Sequence, residues 1–174
     1  MPVAKPIFEI GFKLPAKVNI ESADAYIYYN ILFDIMLGGT SDFFEEMRRD
    51  GLLNEEFSVG VFRGRGYFFP FARGESDNPD KVLAEIQRRI DAYKTIPPSK
   101  EDFERIKRAT YGTMVRDYNN VDSVASTLSE AALSDTEPFS VIDTAAAADY
   151  DKMLEYLYAL DEDNVSISIV SKEK

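Results

Sequence analysis

Residues 41–62 read SDFFEEMRRDGLLNEEFSVGVF. Phe43, Phe44 and Met47 stand at helical spacing, and Glu45, Glu46, Arg48 and Arg49 take the positions between them. That pattern predicts a short amphipathic helix, broken at Gly51. Beyond it, Phe57, Val59 and Val61 alternate with Ser58, Gly60 and Phe62, which is the period of a strand. Ser41 or Asp42 is placed to cap the helix, and Asp42 with Glu45 has capping-box spacing.

Upstream, residues 7–14 alternate, with Phe8, Ile10, Phe12 and Leu14 on one side, so a half-buried strand is expected, closed by Pro15. Ser22 is an N-cap for a helix from Ala23 to Leu37. From Ile31 to Leu37 only Asp34 is polar, so this helix should be buried on most sides. Gly38-Gly39 should end it through a left-handed turn.

Downstream, Gly64-Arg65-Gly66 is a turn and Tyr67–Ala72 a second strand, together a hairpin. Pro70 cannot donate to a ladder, which argues for an edge position or a bulge. Asn78-Pro79 opens a helix with Val82, Ile86, Ile90 and Tyr93 inward and Arg88, Arg89 and Asp91 toward water. Pro97-Pro98 ends it, and Ser99 with Asp102 opens the next, striped by Phe103, Ile106, Thr110 and Met114. After a break at Asn119-Asn120, residues 121–133 resume with Val124, Leu128 and Ala132 on one face. Glu137-Pro138-Phe139 reads as a loop. A last helix spans about residues 149–160, and Val165, Ile167 and Ile169 mark a final strand. Hairpin signals segregated from long helices predict one α+β domain over residues 1–174: a mainly antiparallel four-stranded sheet with helices packed on one face.

The 174 residues carry a formal charge of -11, which repels phosphate backbones and argues against nucleic-acid binding. Cysteine is absent, which excludes disulfides, thiolate zinc sites and cysteine nucleophiles. Histidine is absent too, so neither an ordinary catalytic zinc site nor a histidine-based serine triad can be built from this chain. The first residues, MPVAKPIFEIGF, lack a signal-peptide pattern, and the apolar window at residues 31–37 is too short to cross a bilayer. No membrane association and a cytoplasmic location are expected.

The order of segments resembles one domain of the insulinase/pitrilysin family of zinc metallopeptidases, including its processing-peptidase-like members. The resemblance rests on FEIGFKLP, the apolar helix ending in LGG, SDFFEEMRRDGLL followed by FSVGV, NPDKVLAEIQRRID, SKEDFERIKRATYGTMVRDYNN and DEDNVSISIV, and so covers nearly the whole chain. It implies repeated α+β domains arranged as a clamshell, with zinc on an inverted His-x-x-Glu-His helix of the first domain. Lacking histidine, this chain resembles the later, non-catalytic domain, with no catalytic residue and no metal of its own. Zinc is then expected in a sister domain, on the same or a separate chain. In active relatives the later domain contributes an Arg and a Tyr that hold substrate from across the cleft. The matching Arg is Arg48; the Tyr position falls at Phe57, after a longer spacer, and phenylalanine has no hydroxyl to donate.

The implied function is substrate binding and closure in peptide hydrolysis by a zinc metallopeptidase, with Arg48 and Phe57 as the substrate-binding residues. The alternative is a catalytically inactive structural or protein-binding module, and a fragment lacking its sister is expected to form a homodimer. Arg48 either reaches a substrate carbonyl or pairs with Glu45 or Asp42 on its own helix. Phe57 is either a contact or part of the core. The Arg63–Gly66 turn is either an anion site or a hairpin tip, and Tyr67–Phe71 either offers an edge strand to a peptide or packs on helices. The carboxylate runs Glu45-Glu46, Glu55-Glu56 and Asp161-Glu162-Asp163 lack a calcium-loop pattern and read as solvated faces.

Overall fold

The computed structural model describes residues 5–16, 18–20, 22–64, 66–134 and 137–171. The elements, in order, are β1 (Ile7–Phe12), α1 (Ala23–Leu37), α2 (Asp42–Arg49), β2 (Ser58–Gly64), β3 (Tyr67–Glu75), α3 (Pro79–Thr95), α4 (Lys100–Asp117), α5 (Val121–Ser134), α6 (Ser140–Ala147), α7 (Tyr150–Ala159) and β4 (Val165–Val170). The strands form one antiparallel sheet in the order β2-β3-β1-β4.

Period-two burial fixes the two faces of the sheet. Phe8, Ile10 and Phe12 of β1 and Phe68, Pro70 and Ala72 of β3 are buried under the helices. The opposite face carries Glu9, Gly11, Phe62, Phe69, Phe71 and Arg73, partly or fully exposed, with Phe62 stacked on Phe69 at 5.6 Å. Helix α1 is the centre of the core: Ile27, Ile31, Leu32, Phe33, Met36 and Leu37 are fully buried, as its apolar sequence requires.

Caps follow the sequence closely. Ser22, Ser41, Asn78, Ser99 and Asp149 each accept a backbone N–H at the start of a helix. At α2 the cap is Ser41, so Asp42 is the first helical residue and forms no capping box. Gly38 is not left-handed (φ -63°); it is needed because a Cβ there would lie 2.6 Å from the backbone oxygen of Asp34.

Pro70 lies in an interior strand, not at an edge. The β1–β3 register ends at Gly11–Phe71, one residue short of it, so Pro70 is flanked by β2 alone and its missing N–H breaks no ladder. Because β3 is interior, it cannot itself accept a peptide strand; the free edges belong to β2 and β4. Helix α6 follows the expected loop without a sequence signal: its N-cap is Phe139, which makes no side-chain cap bond. The expected inward face of α5 is largely exposed, with Leu128 at 45% and only Ala131 buried among its described side chains.

Candidate functional site

The site expected from sequence is the α2–β2 corner. Ser41 Oγ accepts the Phe44 N–H at 3.1 Å and starts α2. Asp42 and Glu45 occupy its first turn and Arg48 and Arg49 its last, each complementing the helix dipole. Gly51, at φ +72°, turns the chain, and the N–H groups of Leu52 and Leu53 both bond the Met47 carbonyl. Phe43, Phe44 and Met47 then point into the core.

Phe57 anchors this corner from below and lies one residue before β2. Its ring is 9% exposed, stacks on Phe44 at 6.0 Å and lies 6.2 Å from Phe43 and 6.5 Å from Phe8. Gly74 leaves room for it, since a Cβ there would meet Phe57 at 3.2 Å. Of the two roles the sequence left open for Phe57, the structure shows the packing one: its ring belongs to the core cluster.

Arg48 follows Phe44 by four residues and projects from the border of the buried stripe of α2. Its side chain is 60% exposed, and Nη1 donates to Glu55 Oε1 at 2.6 Å. The partner is thus Glu55 in the segment leading to β2, not Glu45 or Asp42 on the helix. The pairing holds the guanidinium near one position yet leaves most of its donor fork open to a carbonyl or carboxylate. Arg49 lies beside Asp50 at 3.7 Å and is 75% exposed. Sequence did not mark Arg89, expected in water: its side chain is 17% exposed and reaches Glu46 at 2.7 Å, tying α3 to α2. Likewise Glu162, expected in a solvated run, pairs with Lys94.

The expected anion-binding turn is only partly described, since Arg65 lies outside the described residues. Arg63 stacks over the Tyr26 ring at 3.9 Å instead of standing free. A groove of about 840 Å³ opens at the end of the sheet, lined by Leu14, Val18, Tyr67, Phe69 and Ser166, with Lys13 at its side. No sequence motif pointed to it.

The donor set does not fit a zinc site. The chain has no His or Cys, and among the described residues no three His, Cys, Asp or Glu side chains cluster as metal ligands.

Residues 1–110 match the family described as Peptidase M16 inactive domain. The chain belongs to that family. It is a non-catalytic domain of the M16 zinc proteases, as the resemblance implied. This M16 inactive domain is 25% identical over 145 residues to the uncharacterized zinc protease YmfH of Bacillus subtilis (strain 168), covering 82% of this chain and 33% of that protein. It therefore spans about a third of the length of the curated relative it matches. An M16-like protein of Alicyclobacillus acidocaldarius superposes with a TM-score of 0.85 at 19% identity, over 98% of this chain and 42% of that one. An inactive peptidase domain from Bordetella parapertussis gives 0.81 at 15% identity, over 100% and 95%. These superpositions establish the α+β fold of the M16 inactive domain. Among its described residues no helix is long and apolar enough to cross a membrane.

Proposed function

We propose that residues 1–174 act as one unit, in the cytoplasm, that binds peptide and closes over it against a zinc-bearing sister domain, carried on the same or a separate chain. Arg48 would donate to a substrate carbonyl, with Glu55 setting its direction and Phe57 holding α2 in place. The observation that carries this is the exposed, tethered guanidinium at the end of a helix whose apolar stripe is locked into the core. A preset donor of this kind serves charge that develops on a carbonyl oxygen. The test is Arg48→Ala in the assembled protease. We expect kcat/KM to fall on the order of 100-fold, with the melting temperature of this domain unchanged, since an exposed ion pair adds little stability. Unchanged turnover would remove Arg48 from the mechanism.

A second reading is favoured by Phe57, which supplies no hydroxyl, and by Glu55, which already neutralises Arg48. The unit would then be an inactive protein-binding module, self-associating as a homodimer when its sister is missing. Full activity of a zinc-bearing sister without this unit would support it.

A further inference from the structure

The face of the sheet away from the helices is hollowed at Gly11 of β1. A Cβ there would lie 3.2 Å from the Phe69 ring, so any other residue would begin to fill the hollow. Over this floor opens the groove of about 840 Å³, within the size range of ligand sites. Tyr67 and Phe69 of β3 flank β1 on one side with apolar surface. Ser166, which stands opposite Gly11, and Ser168 flank it on the other, both exposed. Leu14 and Val18 add apolar surface where the chain leaves β1.

Opposite charges stand at the two ends of this floor. Glu9 lies two residues before Gly11 and Lys13 two residues after it, and both line the groove. Residues two apart in a strand share a face. The Lys13 N–H donates to the Asn164 carbonyl at 2.9 Å, which carries the pairing with the β4 side one residue past β1. Four residues of strand set the two Cα atoms about 13 Å apart, farther than the screening length of about 8 Å. Among the described residues neither Glu9 nor Lys13 forms an ion pair. The chain holds 31 acidic residues against 20 basic ones, so carboxylates are plentiful, yet none is set against Lys13. Arg73 stands across from Glu9 on β3, but its Nε donates to Ser58 Oγ at 3.2 Å and its guanidinium lies over Phe71. A ligand that satisfies both ends carries an ammonium and a carboxylate about 13 Å apart. An extended chain spans about 3.3–3.6 Å per residue, so an unblocked peptide of about four residues has that length. The Ser166 and Ser168 hydroxyls can donate to and accept from its peptide groups, and Tyr67 and Phe69 offer apolar surface to its side chains.

We propose that this face of the sheet holds a short unblocked peptide across Gly11, its amino terminus at Glu9 and its carboxylate at Lys13. The peptide lies on the face and uses neither outer strand. Both termini are free at this spacing only in a peptide that hydrolysis has already released, so the ligand class is a product and not an intact substrate. A longer chain can place at most one terminus in the groove. The proposal deepens the peptide-binding reading above and rests on it for the peptide being a product; the binding itself needs only this chain.

The probes are the unblocked tetrapeptide Ala-Leu-Phe-Ala, its N-acetylated and C-amidated forms, and an unblocked octapeptide that repeats the sequence. Titration of the isotope-labelled 174-residue chain, followed by NMR amide shifts, reads affinity and place together. The shifts should centre on Gly11, Lys13, Ser166 and Ser168. Acetylation and amidation should each weaken binding about fivefold, the worth of one exposed ion pair, and the octapeptide should bind more weakly than the tetrapeptide by about the same factor. Glu9→Gln should abolish the penalty for acetylation and keep that for amidation; Lys13→Gln should do the reverse. A merely structural role for either residue would not produce that crossing. If a variant fails to fold by circular dichroism, the blocked peptides test the same contacts on the native chain. Equal affinity for free and blocked tetrapeptides, an octapeptide that binds as tightly as the tetrapeptide, or shifts centred elsewhere overturns the proposal. So does sedimentation showing a dimer that excludes the tetrapeptide, which would give this face to a second copy. Loss of turnover in Arg48→Ala with no preference for free termini here would keep the closing role and remove this site; that preference with unchanged turnover would do the opposite.

Discussion

Asp34 costs the fold something that a neutral side chain would not. It is set in an otherwise apolar run, its tip reaches solvent, and the protein around its stem desolvates it, which holds its carboxyl above the usual carboxylate range. The native state therefore takes up this proton more readily than the unfolded chain. Ionised Asp34 lowers stability above its folded pKa, and the penalty fades as pH falls from that value to the ordinary 3.8. Asp34→Asn should stabilise the fold at pH 7 by no more than about 1 kcal/mol, because the group is exposed, and raise the melting temperature accordingly. The gap should close toward pH 3. Thermal melts of both proteins at pH 7, 5 and 3 decide it, and a gap independent of pH would mean that the carboxyl is not desolvated. Asp34 was visible in the sequence as the lone polar residue of Ile31–Leu37, but not as a surface group, since that depends on which side of α1 the sheet and the other helices leave uncovered. Arg48 was legible as a candidate through the resemblance carried by SDFFEEMRRDGLL and not through helical spacing, which sets it four residues from Phe44 at the border of the buried stripe. Arg89 was not, since its partner Glu46 is 43 residues away and leaves no local pattern.

Elements were legible where their ends carry chemistry. Ser22, Asn78-Pro79 and Ser99 announced α1, α3 and α4, whereas α6 lacks a capping side chain and went unannounced. Strand order was not legible, because alternation shows which face is buried and not which neighbour lies beside it; Pro70 was misplaced for that reason. The end of α1 shows how one residue type serves different physics. Neither Gly38 nor Gly39 has a positive φ, so neither is there for a left-handed turn. At Gly38 a Cβ would lie 2.6 Å from the oxygen and 2.9 Å from the Cα of Asp34, backbone atoms that cannot swing aside. At Gly39 nothing lies within 4 Å. Gly38→Ala should therefore cost about 1–3 kcal/mol in urea unfolding, while Gly39→Ala stays within about 0.5 kcal/mol. A larger loss at Gly39 would restore the left-handed explanation and discard the steric one.

Across the molecule, burial is uneven, and stability should follow it. Ten of the fifteen residues of α1 are buried, between the sheet and helices α4, α6 and α7. Helix α5 is the opposite case: Val121 and Leu133 are 82% and 81% exposed, and Ala131 alone is buried among its described side chains. Few apolar contacts oppose its local opening, whereas α1 can open only with the core. Amides of α5 should exchange with solvent deuterium on the order of 100-fold faster than those of α1. Amides of α1 should exchange at the rate set by global unfolding, so Gly38→Ala should speed α1 and leave α5 unmoved. Hydrogen exchange read by mass spectrometry on native and variant chains separates the two. Equal protection of α5 and α1 would mean that α5 opens only with the core, and the exposed apolar residues on it would then need a cover that this chain alone supplies, such as a second copy.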